Sequence, residues 1–243
     1  IMNYISIFTD RKTTTALMIT FKYAFITVPL KLVFALFIAY ILNFKIKFVN
    51  LFRTVYYIPS ILGGSVAIAV LWRALFKDTG IINTLLGFFG IQGPNWLADR
   101  NWALFVICLL RVWQFGSAMV LFLAALKGVP TDLYEAATID GANPVQQFLN
   151  ITLPYMIFVM TPYIITQFTG NINNFNVIYL LTRGEPVGVG NSAGDTDLLV
   201  TWLYKLTVDQ QKYNLGAVIG IFTFVVLAVV SLVTYRSSGS YKD

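Results

Sequence analysis

The stretch from Leu133 to Pro154, LYEAATIDGANPVQQFLNITLP, decides how this chain is interpreted. It is rich in polar residues, yet it lies between two apolar runs that are each long enough to cross a bilayer. Polar side chains and turns of the backbone are costly in hydrocarbon, so the stretch must lie outside the membrane core. The sequence therefore predicts a polar segment at a membrane surface, joined to a membrane span at each end.

The order of residues in this stretch predicts two short helices joined by a glycine turn. We expect Thr131 to cap the first helix, because a threonine hydroxyl can accept from a free backbone N–H. Gly141 fits the end of that helix, where a positive φ costs a glycine nothing. Asn143 is expected to cap the second helix, with Pro144 in the first turn and Gln146 completing a capping box.

Several residues of the stretch together resemble the EAA loop, the signature of permease subunits of binding-protein-dependent ABC importers. They are Glu135, Ala136, Ala137, Gly141, Ile151, Leu153 and Pro154. In that family the loop is a cytoplasmic coupling helix that docks in a cleft of the ATPase subunit. The resemblance implies that residues 130–152 couple this chain to an ATPase through Glu135, Ala136, Ala137, Asp140 and Gly141. The alternative is a surface helix-turn-helix without a partner.

Composition supports a membrane protein and excludes several other classes. Hydrophobic residues make up 57% of the 243 residues and charged residues only 12%, whereas soluble domains average about 25% charged. The net charge of +6 comes from scattered basic residues, so we predict no nucleic-acid site. The chain contains one cysteine, no histidine and no P-loop motif. We therefore expect no catalytic residue, no metal site and no cofactor on this chain; ATP and Mg²⁺ would be bound by partner subunits.

Five apolar runs predict an all-α, polytopic helical bundle, and the resemblance implies the MetI-like fold of ABC importer permeases. The runs are Ala16–Leu42, Val49–Phe76, Trp102–Leu126, Leu153–Leu181 and Leu215–Tyr235. We expect residues 1–243 to form a single transmembrane domain, with further N-terminal span or spans missing from this sequence. Between the second and third runs, residues 81–89 predict a short interfacial helix, and residues 197–208 predict another helix. Lys45, Lys47 and Arg53 favour a cytoplasmic location for the link after the first run.

The second half of the fourth run is polar for a membrane span. Gln167, Gly170, Asn171 and Asn174 follow i, i+3, i+4, i+7 spacing, which places them on one face of a helix. Amides offer both donors and acceptors, so this face suits sugar hydroxyls. The alternative is that these residues hydrogen-bond between helices.

The same region, GNINNFNVIYLLTRGEP, is similar to the carbohydrate branch of the family, close to the larger permease subunit of maltose and maltodextrin importers. The resemblance implies that Gln167, Gly170, Asn171 and Asn174 contact the sugar. Asn171 and Asn174 keep the family residue, whereas Gln167 and Gly170 replace a hydroxyl and an aromatic residue. The resemblance also places an opposite wall of the site at Trp113, Gln114 and Ser117.

Lys31 and Arg111 lie deep in spans, and the apolar runs contain no acidic residue. A charge in the bilayer centre is costly, so each should pair with a partner subunit or contact an anionic solute. Lys22 and Arg73 lie nearer span ends and are expected to reach the interface.

These observations predict a multi-pass permease subunit in the plasma or inner membrane of a bacterium, importing a neutral oligosaccharide. The expected partners are a second permease subunit, two ATPase subunits or an ATPase homodimer, an extracellular or periplasmic solute-binding protein, and membrane lipid. An anionic solute, such as a uronic-acid oligosaccharide or a glycerol phosphate, is the alternative substrate. The alternatives from other classes are a secondary transporter or channel and a scaffold protein without a pore.

Overall fold

The fold is all-helical throughout the computed structural model, which describes residues 2–44, 47–187 and 194–237. Several predicted spans are divided by short breaks. In chain order the α-helices of the described residues are α1 Met2–Thr9, α2 Arg11–Asn43, α3 Val49–Leu62, α4 Val66–Leu75, α5 Ile81–Phe88, α6 Arg100–Trp113, α7 Gly116–Gly128, α8 Thr131–Ile139, α9 Pro144–Gln147, α10 Leu153–Ile172, α11 Phe175–Leu181, α12 Leu199–Tyr204 and α13 Tyr213–Ser237. Phe148–Thr152 and Lys205–Asp209 are π-helical turns.

Two of the five predicted spans are bent pairs of helices rather than continuous rods. By length and composition, three helical segments can each cross a membrane without a sharp bend: α2, residues 144–181 and residues 213–233. Helices α3 and α4 meet at 103°, and α6 and α7 at 45°. If each bent pair counts as one span, the described chain has the five predicted spans. The first break falls at two glycines, of which Gly64 has a φ of +86°.

Helix α2 is the central helix, and one of its faces is hydrogen-bonded along most of its length. It packs against α6, α7 and α10. The bonding side chains, at positions 13, 20, 23, 27 and 31, lie on one side of the helix because their spacings are close to whole turns. The hydrogen bonds run from Trp202 Nε1 to Thr13 Oγ1 (3.1 Å), Leu199 N to Thr20 Oγ1 (2.8 Å), Asn174 Nδ2 to Tyr23 OH (2.9 Å), Thr27 Oγ1 to Cys108 Sγ (3.2 Å) and Lys31 Nζ to Gln167 Oε1 (2.9 Å).

Small residues on the same side of α2 bring the neighbouring helices close. Ala16, Ala24, Ala35 and Ala39 are completely buried. Apolar burial gains little against lipid, so close packing over small residues and hydrogen bonds between helices hold membrane bundles together. The buried face of α2 supplies both kinds of contact.

The two breaks in the bent spans pack against each other. Ser60 Oγ donates to the carbonyl of Gln114 at 3.2 Å and accepts from Ser117 N at 3.0 Å. One hydroxyl therefore satisfies backbone groups that the break between α6 and α7 leaves without helical partners. A Cβ on Gly116 would collide with the Tyr56 carbonyl oxygen and lie 2.7 Å from Tyr57 Cα. Only glycine allows this approach.

The end of the bundle that carries Arg100 has two ion pairs among the described residues, each made with a buried aspartate. Asp197 is fully buried and accepts from Lys205 Nζ at 2.7 Å, and Asp195 pairs with Arg100 at 3.0 Å. The short helix predicted at residues 81–89 is present as α5, and the helix predicted at residues 197–208 is α12 with its π-helical turn. Helix α1 was not predicted; it packs on α13. Residues 184–194 are rich in glycine, and residues 188–193 of this stretch lie outside the described residues.

The opposite end carries the EAA-type segment, residues 130–152, beside the end of α2. A groove there is lined by Asn43, Leu126, Tyr134 and Phe148. The link that follows α2, with Lys47, therefore lies at the same end of the bundle as the EAA-type segment. This agrees with the common side predicted from the sequence, although Lys45 lies outside the described residues.

Gly116→Ala tests the packing of the two broken spans. The added methyl group meets backbone atoms that cannot turn aside, so we expect the variant to lose about 1–3 kcal/mol of stability. Gly87→Ala is the matched control, because a Cβ there meets nothing within 4 Å. The measurement is the thermal unfolding midpoint of each purified variant in detergent. Equal midpoints for the two variants would contradict the packing described.

Candidate translocation site and EAA-type segment

A cluster of polar side chains lies between α2, α6 and α10, inside the bundle. Helix α2 is about 50 Å long, and Lys31 lies about 30 Å from its start, which is deep for a charged residue. The members of this polar cluster are Tyr23, Lys31, Arg111, Gln114, Tyr163, Gln167, Asn171 and Asn174. The cluster combines two cations with amides and phenols, and it brings together most of the substrate contacts predicted from the sequence.

Helix α10 supplies one wall of the polar cluster. Gln167 Oε1 accepts from Lys31, while the Gln167 backbone carbonyl accepts from Asn171 Nδ2 at 2.7 Å. Asn171 is completely buried, and its Oδ1 has no hydrogen-bond partner in the described structure. Gly170 is exposed, and a Cβ added to it would meet nothing within 4 Å. This wall thus contains amide groups that are hydrogen-bonded within the protein, one acceptor without a partner, Asn171 Oδ1, and an exposed glycine.

The predicted amide face does not continue as one helix. Helix α10 ends at Ile172, and Asn174 lies in the break before α11 with φ −81° and ψ 83°. In this non-helical conformation, the Asn174 amide reaches the Tyr23 hydroxyl on α2. Asn174 therefore joins the cluster through a break in the span rather than through regular helical spacing.

The opposite wall is formed where α6 ends. Gln114 is buried, and its Oε1 accepts from Arg111 Nη1 at 2.8 Å. A Cβ on Gly63 would lie 2.6 Å from Gln114 Cδ, so the glycine break between α3 and α4 makes room for this side chain. Ser117 is half-buried at the start of α7. The structure places Trp113 elsewhere, against Trp72 in an apolar core, with ring centroids 5.9 Å apart.

The charge of Arg111 influences several other members of the cluster. Its charge acts on Lys31, on the Tyr23 hydroxyl and on Tyr163. The ion pairs found in the described residues are Arg100–Asp195 and Lys205–Asp197, and neither involves a member of the cluster. Within the described chain, the cluster is therefore positive and carries no neutralising carboxylate.

Several polar atoms of the cluster are buried but have no hydrogen-bond partner in the described structure. They are Arg111 Nε, Gln114 Nε2, Tyr163 OH and Asn171 Oδ1. Buried polar atoms are normally paired, so a group of unpaired ones in one place indicates capacity for a polar ligand. Tyr163 and Tyr23 were missed in the sequence. Tyr163 precedes Gln167 by one helical turn, so the spacing argument could have included it.

The EAA-type segment has the predicted helix–turn–helix structure. Gly141 has a φ of +76°, and the N–H groups of Gly141 and Ala142 donate to the carbonyls of Thr138 and Ala137, which closes α8 in a Schellman motif. Asn143 and Gln146 form the predicted capping box of α9. The prediction that Thr131 caps α8 is wrong: α8 begins at Thr131, and Pro130 precedes it without a side-chain cap.

Side-chain hydrogen bonds make the EAA-type segment one unit with the spans beside it. Tyr134 OH bonds Thr152 Oγ1 at 2.7 Å, which ties α8 to the start of α10. Gln147 Nε2 donates to Thr138 Oγ1 and to the Ala142 carbonyl, which ties α9 to α8. These hydrogen bonds therefore join α8, α9 and the base of α10.

Although the EAA-type segment is rich in polar residues, several of its apolar side chains are exposed. Ile139 is 87% exposed and Val145 66%, and Leu133 and Leu149 are also exposed. Glu135 and Ala136 are exposed, Ala137 is half-buried, and Asp140 is exposed at the C-cap position that follows α8. Exposed apolar residues grouped with polar ones are typical of protein interaction surfaces.

Comparison with known proteins decides the family. The family described as binding-protein-dependent transport system inner membrane component matches residues 11–238. The chain belongs to this family. It is thus a multi-pass permease of a bacterial cell membrane, and the all-helical permease fold predicted from the sequence is confirmed. Permease subunits of ABC transporters are not catalytic, which agrees with the predicted absence of enzyme activity.

Two curated relatives from Bacillus subtilis (strain 168) are similar to this permease. The probable ABC transporter permease protein YesP is 38% identical over 97% of this chain and 76% of its own length. The galactooligosaccharides transport system permease protein GanP is 40% identical over 88% of this chain. The chain spans only 52% of the length of GanP.

A solved structure has the same fold. It belongs to a bacterial ABC transporter involved in the import of the acidic polysaccharide alginate, and it matches with a TM-score of 0.85. The match covers 99% of this chain and 84% of that chain, at 22% sequence identity. At this identity the match supports the fold alone.

Gly141→Val tests the geometry of the EAA-type segment. A β-branched residue at a φ of +76° is strained by about 1–2 kcal/mol, so we expect α9 to be displaced and ATP-driven transport to fall. Gly141→Asn is the control, because asparagine tolerates this conformation and space is not limiting at the position. The measurement is the transport rate of each variant per unit of protein in the membrane. Equal rates for Val and Asn would contradict a role for this turn.

Proposed function

We propose that this chain is one of two permease subunits of an ATP-driven importer that carries an oligosaccharide into the cell. The single transmembrane domain would hold the sugar at the polar cluster, with Gln167, Gly170, Asn171, Asn174, Gln114 and Ser117 as contacts. The observation that carries this proposal is the set of unpaired polar atoms buried between α6 and α10. Trp113 is left out of the proposed site because its ring packs in an apolar core.

The chemistry of the cluster supports a polyhydroxylated solute. A sugar hydroxyl can donate to Asn171 Oδ1 and accept from Gln114 Nε2, so one class of group satisfies both kinds of unpaired atom. Gly170 is exposed in the same helix, and its missing side chain leaves the backbone open to a ligand there. The name of GanP, a galactooligosaccharide permease, supports the same class of substrate.

The EAA-type segment supports the proposed partners. Its exposed apolar residues, Ile139 and Val145 among them, would lie in a cleft of an ATPase subunit. The chain has no P-loop, so two ATPase subunits or an ATPase homodimer would bind ATP and Mg²⁺. A second permease would complete the pore, and an extracellular or periplasmic solute-binding protein would deliver the sugar. The family, described as binding-protein-dependent, supports this last partner.

In the proposed mechanism, the EAA-type segment is a rigid element that transmits movement from the ATPase to the membrane spans. Closure of the ATPase on ATP would push the EAA-type segment, and the Tyr134–Thr152 hydrogen bond would pass that movement to the base of α10. Helix α10 carries the amide wall at its other end, so the same movement would open or close the polar cluster. A secondary transporter or channel is not supported, because the family transports solutes with a binding protein.

Asn171→Leu tests the proposed sugar site. The change replaces a fully buried amide with an apolar side chain of similar size. The hydrogen bonds of that amide are lost, so we expect uptake to fall about tenfold. Thr169→Val is the matched control on the opposite side of α10, because the Thr169 hydroxyl bonds only the Ile165 carbonyl of its own helix. The measurement is uptake of labelled oligosaccharide by proteoliposomes that contain the complete transporter.

Two results would overturn the proposal. One is unchanged uptake in Asn171→Leu, which would remove the polar cluster from the path. The other is purification of this chain without any ATPase or second permease, under conditions in which the EAA-type segment is intact.

A further inference from the structure

Resting on the proposed function, we propose that the oligosaccharide is acidic, and that Lys31 and Arg111 bind a carboxylate of the sugar at the polar cluster. The sequence favoured a neutral sugar because the amide residues stand out in it. The positions of Lys31 and Arg111 in the structure instead favour an acidic oligosaccharide.

The first observation is that both cations are held by neutral groups. Lys31 is only 5% exposed, and its Nζ donates to the amide oxygen of Gln167. Arg111 Nη1 donates to the amide oxygen of Gln114. Within the described chain, neither residue has a carboxylate partner. A buried charge is normally paired with an opposite charge, so these two lack a counter-ion.

The second observation is that the two cations act on each other. Burial disfavours the charge on Lys31, and the charge on Arg111 disfavours it further. A site for a neutral sugar has no need of either charge, because amides alone supply donors and acceptors. An anion that enters between the two cations relieves the repulsion and supplies the missing negative charge.

The third observation is the supply of unused donors beside these charges. Arg111 Nε and Gln114 Nε2 are buried and donate to nothing in the described structure. A carboxylate accepts several hydrogen bonds, and those from a guanidinium are shorter and stronger than neutral ones. Charge and donors therefore favour the same ligand.

The test compares matched pairs of oligosaccharides in the complete transporter, reconstituted in proteoliposomes with its delivery protein. The probes are oligogalacturonates and oligoglucuronates of two to four residues, each paired with its carboxyl-reduced neutral counterpart. The measured quantity is the ratio of acidic to neutral uptake. For the wild type we expect a preference of at least about tenfold for the acidic member of a transported pair, since a charged hydrogen bond is at stake.

Variants of the permease show how much of the preference comes from the permease, because the delivery protein is the same in every assay. Lys31→Met and Arg111→Met should each lower the ratio by about tenfold, whereas Lys31→Arg keeps the charge and should retain the preference. Lys22→Met is the matched control, because Lys22 lies on the exposed side of the same helix, in a groove beside Leu30 and Phe105. The control should leave the ratio unchanged.

Three results would overturn the inference. If neutral oligosaccharides are imported at the same rate as acidic ones, and the ratio does not respond to Lys31→Met, the two cations do not recognise a carboxylate, while the proposed function stands. If Lys31→Met loses the second permease during purification, the charge pairs with a carboxylate of that subunit. If no oligosaccharide of either kind is imported, the proposed function itself fails.

Discussion

A polar group inside a lipid bilayer must find a partner within the protein, and the buried face of α2 is where this chain meets that requirement. Threonine, tyrosine and lysine side chains recur along one side of the helix, and together they bond α12, the break before α11, and α10. Alanines between them allow close approach. These hydrogen bonds join α6, α10 and α12 to α2, and their loss would leave polar groups unpaired in an apolar interior.

The breaks in the spans follow from the same requirement. A helix that breaks inside the membrane frees backbone groups, and here Ser60 satisfies the carbonyl of Gln114 and the N–H of Ser117. In return, the breaks bring side chains to places that a straight helix cannot reach. Gln114 enters the space beside Gly63, and Asn174 reaches across to Tyr23. The irregular backbone therefore lies where the polar cluster is built, which is its usual place in membrane transporters.

The parts of this structure that sequence reasoning predicted well depend on neighbours in the chain. The glycine turn at Gly141 and the capping box of Asn143 and Gln146 follow from residues three or four positions apart, and both are present. The bend at Gly63 and the Lys31–Gln167 hydrogen bond were not predicted. The latter joins residues 136 positions apart, so no local pattern indicates it. Thr131 is not the N-cap, because α8 begins at Thr131 itself and Pro130 occupies the N-cap position.

The central claim is that the face of α10 beside the polar cluster lines an aqueous path rather than lipid. Gly170→Cys in a Cys108→Ala background tests it directly, because a side chain fits at position 170 and Cys108 is the one native cysteine. Phe158→Cys, at an exposed position on another face of the same helix, is the reference. The measurement is the rate of reaction with a charged, membrane-impermeant thiol reagent in the complete transporter. We predict that Cys at 170 reacts faster and that bound substrate protects it; equal, slow reaction at both positions would contradict the account.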